Sequence, residues 1–271
     1  MRKVNTVLIL VVFITFILII QEFMSANSLI GCAFNLFNVD STEKTALYSF
    51  SKFTVRTLCD TIPQRENMIV YIFNHPDNNI QSVVDGTYDL WLKLKHLKIK
   101  ILIFDVSNSN LKTNIPNWSG GSFLKKLLLD KGVTESAILW KPWPHDVIHT
   151  LVEAEEINQI VFKELKASAL LLISIALHQP RAFLTTISVM SKNNNNNDRS
   201  DSNYEVYSIP GAPLEWGEMT VHNQGVVTGT RVELLDIEFD RIERYHNKGD
   251  LISPTEALQF LHERDLRNKK K

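Results

Sequence analysis

The sequence predicts an α/β fold, a mostly parallel β-sheet held between two layers of helices. Three observations carry that expectation. Short apolar runs without polar alternation recur at 68–73, 100–106 and 170–176, and such runs belong to strands buried on both faces. Segments of helical period separate them, with short connections. The last run leads straight into His178-Gln179-Pro180-Arg181-Ala182, with a proline placed to open a helix. Ionisable groups therefore fall beyond the carboxyl end of a buried strand, where open parallel sheets bind their ligands.

A chain of 271 residues, 44% hydrophobic and 22% charged, has the composition of a globular protein. Lys+Arg 29 against Asp+Glu 30 leaves a formal net charge of -1, so no global field favours nucleic acid as a partner. The basic end, Arg267 with Lys269, Lys270 and Lys271, reads as a solvated tail.

In order along the chain, residues 1–24 read as a membrane anchor or signal-anchor. Arg2 and Lys3 precede an apolar run that reaches Ile20, and seventeen residues at a helical rise span roughly 25 Å, the short limit for a hydrocarbon core. The positive flank predicts a single-pass topology, amino terminus cytoplasmic and main domain extracytoplasmic or lumenal. A cleaved signal peptide stays open as an alternative. So does lipidation at Cys32, from the lipoprotein-like box Leu29-Ile30-Gly31-Cys32. Cys32 and Cys59 could pair in an oxidising compartment or remain two thiols.

A linker and helix occupy 25–66, with the helix at 41–58 and Thr42 as its cap. The α/β domain is expected over 67–229. Its strands fall at 68–73, 100–106, 133–140, 170–176 and 205–209, and its helices at 81–97, 122–131, 147–166 and 180–190. Gly132 stops the second of these helices. The asparagine tract near 191–203 has too little apolar area to pack and reads as a flexible surface loop. Residues 214–228 read as loop and turn. A helical extension is expected over 230–271. Its last helix is announced by Ser253, Pro254 and Glu256, a capping box with proline at the first helical position.

If the strands run parallel, three groups of polar residues converge at one rim. They are Asn74, His75 and Asp77; then His145, Asp146, His149, Thr150 and Glu153; then His178 and Arg181. Arg181 at a helix start is a natural anion receptor, because unpaired N–H groups and the guanidinium fork favour a carboxylate or phosphate. His178 and Glu153 are the candidate acid and base. Thr150, Asn74 and His75 are candidate ligand contacts. There is no His-Glu-x-x-His, Gly-x-Gly-x-x-Gly, Walker or Gly-x-Ser-x-Gly pattern, so no metal, dinucleotide, nucleoside triphosphate or serine-hydrolase site is expected.

His178-x-Pro180-Arg181-Ala182, preceded by Thr150, Glu153 and Ala154, resembles the domain of unknown function shared by the bacterial envelope proteins SanA, YdcF and ElyC. The resemblance covers 67 to about 189. Residues 233–265 look like an extension of some members, on Glu238, Arg241-Ile242, Tyr245, Gly249-Asp250-Leu251 and Glu256. The resemblance implies a Rossmann-like domain tethered by one amino-terminal helix, with Thr150, Glu153, His178 and Arg181 at its polar cleft. It also implies a role in envelope or cell-wall upkeep and, in one branch, binding of S-adenosylmethionine. The chain departs from the family where Asn74-His75-Pro76 replaces a glycine-rich turn. It departs again where Asp105-Val106-Ser107 replaces Ser-Gly, with Gly120-Gly121 as the nearest substitute.

Three functions follow as expectations. The first is a membrane-anchored enzyme or sensor of an anionic small molecule or glycan-lipid intermediate. The second is a non-catalytic binding or assembly factor using the same pocket. The third is a methyl-donor-binding domain with S-adenosylmethionine as its cofactor.

Overall fold

In the computed structural model, residues 41–73, 75–112, 115, 117–196, 205–222 and 227–269 are described. The chain divides into two compact units, one of residues 57–252 and one that joins residues up to 56 with 253–271. The proposed anchor, Cys32 and Asn74 lie outside the described residues. Among those described, no helix is long and apolar enough to cross a membrane.

The larger unit is built on five strands: β1 (Met68–Ile72), β2 (Lys100–Asp105), β3 (Ile138–Pro142), β4 (Ala169–Ser174) and β5 (Glu205–Pro210). They form one sheet in the order β3-β2-β1-β4-β5, and every neighbouring pair is parallel. All residues of β1 and β4 are buried, as unbroken apolar strands in the middle of a covered sheet must be. The fold is Rossmann-like, as the apolar runs predict. β3 begins five residues later than expected, because a short turn at Glu135–Ala137 takes up the start of that run.

Helices α2 (Asp77–Leu94) and α3 (Gly120–Asp130) link β1 to β2 and β2 to β3, and pack on each other. Helix α4 (Thr150–Asn158) follows β3, α5 (Gln179–Asn196) follows β4, and these two also pack together. Right-handed crossovers that run one way from β1 through β2 to β3, and the other way from β3 to β4 and β5, put the two pairs on opposite faces of the sheet. α4 widens into a looser turn at Gln159–Glu164, where the Leu165 N–H reaches the Ile160 carbonyl at 2.9 Å. The chain then leaves through Lys166 in a left-handed conformation, φ 49°.

Residues 214–228, expected as loop, instead contribute an antiparallel hairpin, β6 (Met219–His222) against β7 (Val227–Thr230). Its strands are too short and too mixed in polarity for alternation to reveal them. Helix α6 (Arg231–Asn247) follows at once, opened by a Thr230/Glu233 capping box. α6 belongs to the same unit as the sheet, whereas α7 (Pro254–Asn268) belongs with α1 (Ser41–Leu58) up to Arg56. The Ser253/Glu256 capping box of α7 is formed as read from the sequence. Within that smaller unit Arg56 pairs with Asp265, which also accepts from Arg264.

Candidate functional site

β1 connects outward to β2, while β4, its other neighbour, connects outward to β5. The gap between their carboxyl ends is the switch point at which such sheets open a crevice. His75 leaves β1 there and His178 leaves β4. Their rings lie edge to face with centroids 5.5 Å apart. Both border a narrow crevice with room for about one water molecule, together with Pro76, Asn79, Ile175, Leu177, Val221 and Leu234.

Behind His178 lies a buried ionic cluster. Glu238, from α6, accepts at Oε2 from Arg181 Nε at 2.5 Å and at Oε1 from Arg181 Nη2 at 3.1 Å. Arg241 Nη1 donates to the same Oε1 at 3.2 Å. His178 Nδ1 lies 3.0 Å from Glu238 Oε2 and 3.1 Å from Arg181 Nη2. An ionised Glu238 can only accept, so a proton assigned to Nδ1 completes a charge-assisted bond to the carboxylate, and Arg181 Nη2 keeps its bond to Oε1. That tautomer leaves Nε2 as the basic nitrogen, with the Thr150 hydroxyl 3.5 Å away. His178, Arg181 and Glu238 are each at most 2% exposed, so the low dielectric strengthens every one of these bonds.

Thr150 and Glu153 occupy one face of α4, and both are buried. Thr150 Oγ1 accepts from Arg181 Nη1 at 3.0 Å. Glu153 accepts from the Tyr71 hydroxyl at 2.8 Å. Burial first, then the Glu153 charge and hydrogen bond, hold the Tyr71 hydroxyl well above its ordinary range. Tyr71 meets Phe73 edge-on at 5.1 Å and Phe73 meets His178 at 6.0 Å. Glu153 and His178 therefore share one face of the sheet, joined through two aromatic rings.

The structure thus brings Thr150, Glu153, His178, Arg181 and His75 together at one end of the sheet. His75 Nε2 lies 2.8 Å from Ser174 Oγ and also takes the Ile175 N–H at 3.4 Å. Two other candidates stand apart. His145 bonds to Glu156 at 3.1 Å, and Asp77 accepts from the backbone and hydroxyl of Ser119. His149 caps α4, with Nδ1 accepting the Val152 N–H at 3.4 Å. Burial, opposed by Glu155 and aided by Arg181, holds its pKa below the ordinary imidazole value.

The sequence reading gave Glu238, Tyr71 and Ser174 no site role. The signal for Glu238 was present, since Leu235, Glu238 and Ile242 fall on one helical stripe. A carboxylate on an apolar stripe requires a buried cation. Tyr71 and Ser174 are the hydroxyl-bearing members of otherwise apolar strands. Among the described residues, no three His, Cys, Asp or Glu side chains are placed to share a metal ion.

Asn79, on the cleft wall, donates to Thr220 Oγ1 at 2.9 Å and accepts from Arg231 Nε and Nη2 at 3.2 and 3.1 Å. Its amide is thereby committed to holding the hairpin and the start of α6 against α2. The titratable groups lining the cleft are then two imidazoles, with no carboxylate among the lining side chains.

Comparison with known protein families, curated proteins and solved structures finds no match to this chain.

Proposed function

We propose that the chain binds a small anion in the cleft at the β1–β4 switch point, with His178 as the group that carries or accepts the proton. The observation that supports this reading most directly is the position of His178, which has one nitrogen on Glu238 while its ring lines the cleft. The lining itself holds imidazoles and no carboxylate, so protonation adds positive charge there, which the Glu238 carboxylate behind His178 helps to hold. The crevice is far smaller than a pocket for a drug-sized ligand, which disfavours a molecule as large as S-adenosylmethionine.

In this reading Arg181 is a positioning residue. Its donors go to Glu238 and Thr150, so it holds the carboxylate that orients the imidazole. Glu153, bonded to Tyr71, likewise supports the site from behind. This internal commitment of both groups favours ligand binding over turnover, and so gives weight to the second expectation, a binding or assembly factor. We further propose that residues 1–24 tether the chain to a membrane, with the α/β unit on the extracytoplasmic or lumenal side. Membrane fractionation with and without that segment tests the tether.

The test of the site is a titration of the full-length chain with inorganic phosphate, followed by NMR at the Cε1–H of His75 and His178. Saturable shifts at both rings, absent in His178→Gln, are the expected result. Shifts that persist undiminished in His178→Gln would sink the reading.

A further inference from the structure

The end of the sheet opposite the crevice carries a concentration of charge that the site does not use. Lys93, Lys95, His96, Lys98 and Lys100 fall close together, with no Asp or Glu between Asp89 and Asp105. They run from the last turn of α2 through a short turn (Lys95–Leu97) into β2. Lys93, Lys95, His96 and Lys98 are exposed and Lys100 is half-buried. Other lysines are matched to carboxylates: Lys112 to Asp146, Lys125 to Glu135, Lys131 to Asp85 and Lys141 to Glu164. Among the described residues, Lys93, Lys95, Lys98 and Lys100 form no ion pair.

The backbone marks the same rim independently. The adjacent strands β2, β1 and β4 are entered through Lys98, Asn67 and Lys166, all left-handed, at φ 54°, 58° and 49°. Asparagine tolerates that conformation, whereas a lysine there costs stability that a glycine would not. Strained residues of this kind gather where function holds them. Lys100 lies opposite Ile69, and Ile69 opposite Leu170. Lys98 and Lys166, both exposed, therefore stand at one rim, two strand spacings or roughly 10 Å apart.

From this juxtaposition we propose that the amino end of the sheet docks on an anionic lipid surface, through Lys93, Lys95, Lys98, Lys100 and Lys166. Clustered lysines without counter-charges are drawn to lipid phosphates, and the attraction accumulates residue by residue. Leu92, 39% exposed and next to Lys93, adds an apolar contact suited to the headgroup boundary. A nucleic acid fits this surface less well, because the aromatic rings beside the lysines are already covered and cannot stack a base. Trp91 is buried and stacked with Tyr88 at 6.1 Å. Lys95 lies over Trp91 at 5.4 Å and Lys131 over Tyr88 at 5.6 Å. Docking at this end turns the β1–β4 crevice away from the bilayer, by roughly 20 Å, the length of a six-residue strand such as β2.

Lysine acetylation, read by mass spectrometry, tests this on the full-length chain in nanodiscs of phosphatidylcholine alone or mixed with phosphatidylglycerol. The five lysines are expected to react about fivefold more slowly on the anionic discs, the fold-change that ~1 kcal/mol per lysine near such a surface gives. Molar salt should remove the difference. Lys112, 72% exposed in the loop after β2 at the other end of the sheet, should react equally on both discs. Lys98→Gly with Lys166→Gly removes two charges and relieves both left-handed positions. It should weaken protection of the other three lysines while raising the melting temperature. Lys93→Gln with Lys95→Gln should weaken protection at Lys98, Lys100 and Lys166 without any change of backbone preference. Equal reactivity on the two disc compositions would overturn the proposal. Protection by a single-stranded RNA oligonucleotide, with none on the anionic discs, would overturn it in favour of nucleic acid. A chain whose residues 1–24 do not insert would still distinguish the two compositions, so the outcome is separable from the tether and from the crevice.

Discussion

His178 Nδ1 lies 3.0 Å from Glu238 Oε2, a carboxylate supplied from a helix 60 positions further along the chain. That bond joins α6 to the end of β4 and sets which nitrogen of the imidazole is basic. It also explains why two arginines can be buried here. Arg181 and Arg241 both donate to the same carboxylate, and burial, the largest influence on Arg241, pulls its pKa down while Glu238 pulls it up. The cluster holds together only as a unit.

The first prediction concerns that unit. Glu238→Gln leaves two buried guanidiniums without their counter-charge, and breaking a buried pair from one side costs about 3–5 kcal/mol. Arg181→Leu should cost a similar amount, because the carboxylate loses its principal donor. The double replacement Arg181→Leu with Glu238→Leu removes both desolvated charges and should cost clearly less than the two single changes added together. Urea unfolding of the three variants measures the coupling. Strict additivity would mean that the pair does not act as a unit.

A second prediction follows from Tyr71. Its hydroxyl is buried against Glu153, and its pKa is raised by burial, then by the Glu153 charge and hydrogen bond. In the unfolded chain tyrosine ionises near pH 10. The folded state therefore holds the proton more tightly, and the stability this contributes is complete below about pH 10. It is lost as pH rises above that value toward the folded pKa. Tyr71→Phe should abolish this alkaline slope. It should also cost about 1–3 kcal/mol at neutral pH, the penalty for leaving the buried Glu153 carboxylate without that donor. Tyrosinate absorbance and denaturant melts between pH 8 and 11 measure both effects.

Much of this architecture is legible in the residues, and the parts that are not have specific causes. Unbroken apolar runs at β1, β2 and β4 reveal a covered parallel sheet, and parallel order brings His75 and His178 to one crevice. The capping box at Ser253 and Glu256 marks the start of α7 to the residue. The β6–β7 hairpin is hidden because four-residue strands of mixed polarity give no period to detect. Arg181 looks like an anion receptor in sequence because its neutralising partner, Glu238, lies 57 residues away. Pairing over such a distance is fixed by tertiary packing and leaves no local mark. The apolar stripe that Glu238 interrupts was the available clue, and it points to a buried cation without saying which one.

His149 supplies a third prediction, with the opposite pH sense. Burial, with Arg181 nearby, lowers its pKa below the ordinary imidazole value. The unfolded state then binds the proton more readily, so the stability His149 contributes is present above about pH 6.5 and is lost as pH falls through its folded pKa. Protonation also removes the acceptor that caps α4, because Nδ1 takes the Val152 N–H. The side chain is half-exposed, so the effect should be modest and weaken with salt. Replacing it by asparagine, another capping residue, should flatten thermal stability between pH 5 and 7. An unchanged slope in His149→Asn would assign that pH dependence to other groups.

The last prediction is steric and concerns the turn after β2. Gly120 sits in the left-handed region, φ 79°, and the Gly121 N–H donates to the Val106 carbonyl at 2.8 Å. A Cβ on Gly121 would overlap the carbonyl oxygen of Phe104, and one on Gly120 would overlap that of Val106. Both obstacles are backbone atoms of the β2 exit, which cannot rotate aside as a side chain can. Gly121→Ala must therefore push α3 away from the strand. Overpacking of this kind typically costs about 1–3 kcal/mol, and at Gly120 the unfavourable φ adds to it. The alanine at Gly132 is the internal control, because its φ is also positive, 103°, yet nothing lies within 4 Å of its Cβ. Its loss should reflect backbone strain alone. Chemical denaturation should rank Gly120→Ala as most damaging and Gly121→Ala above Gly132→Ala. A Gly121→Ala chain as stable as the parent would show that α3 can retreat from β2 without cost.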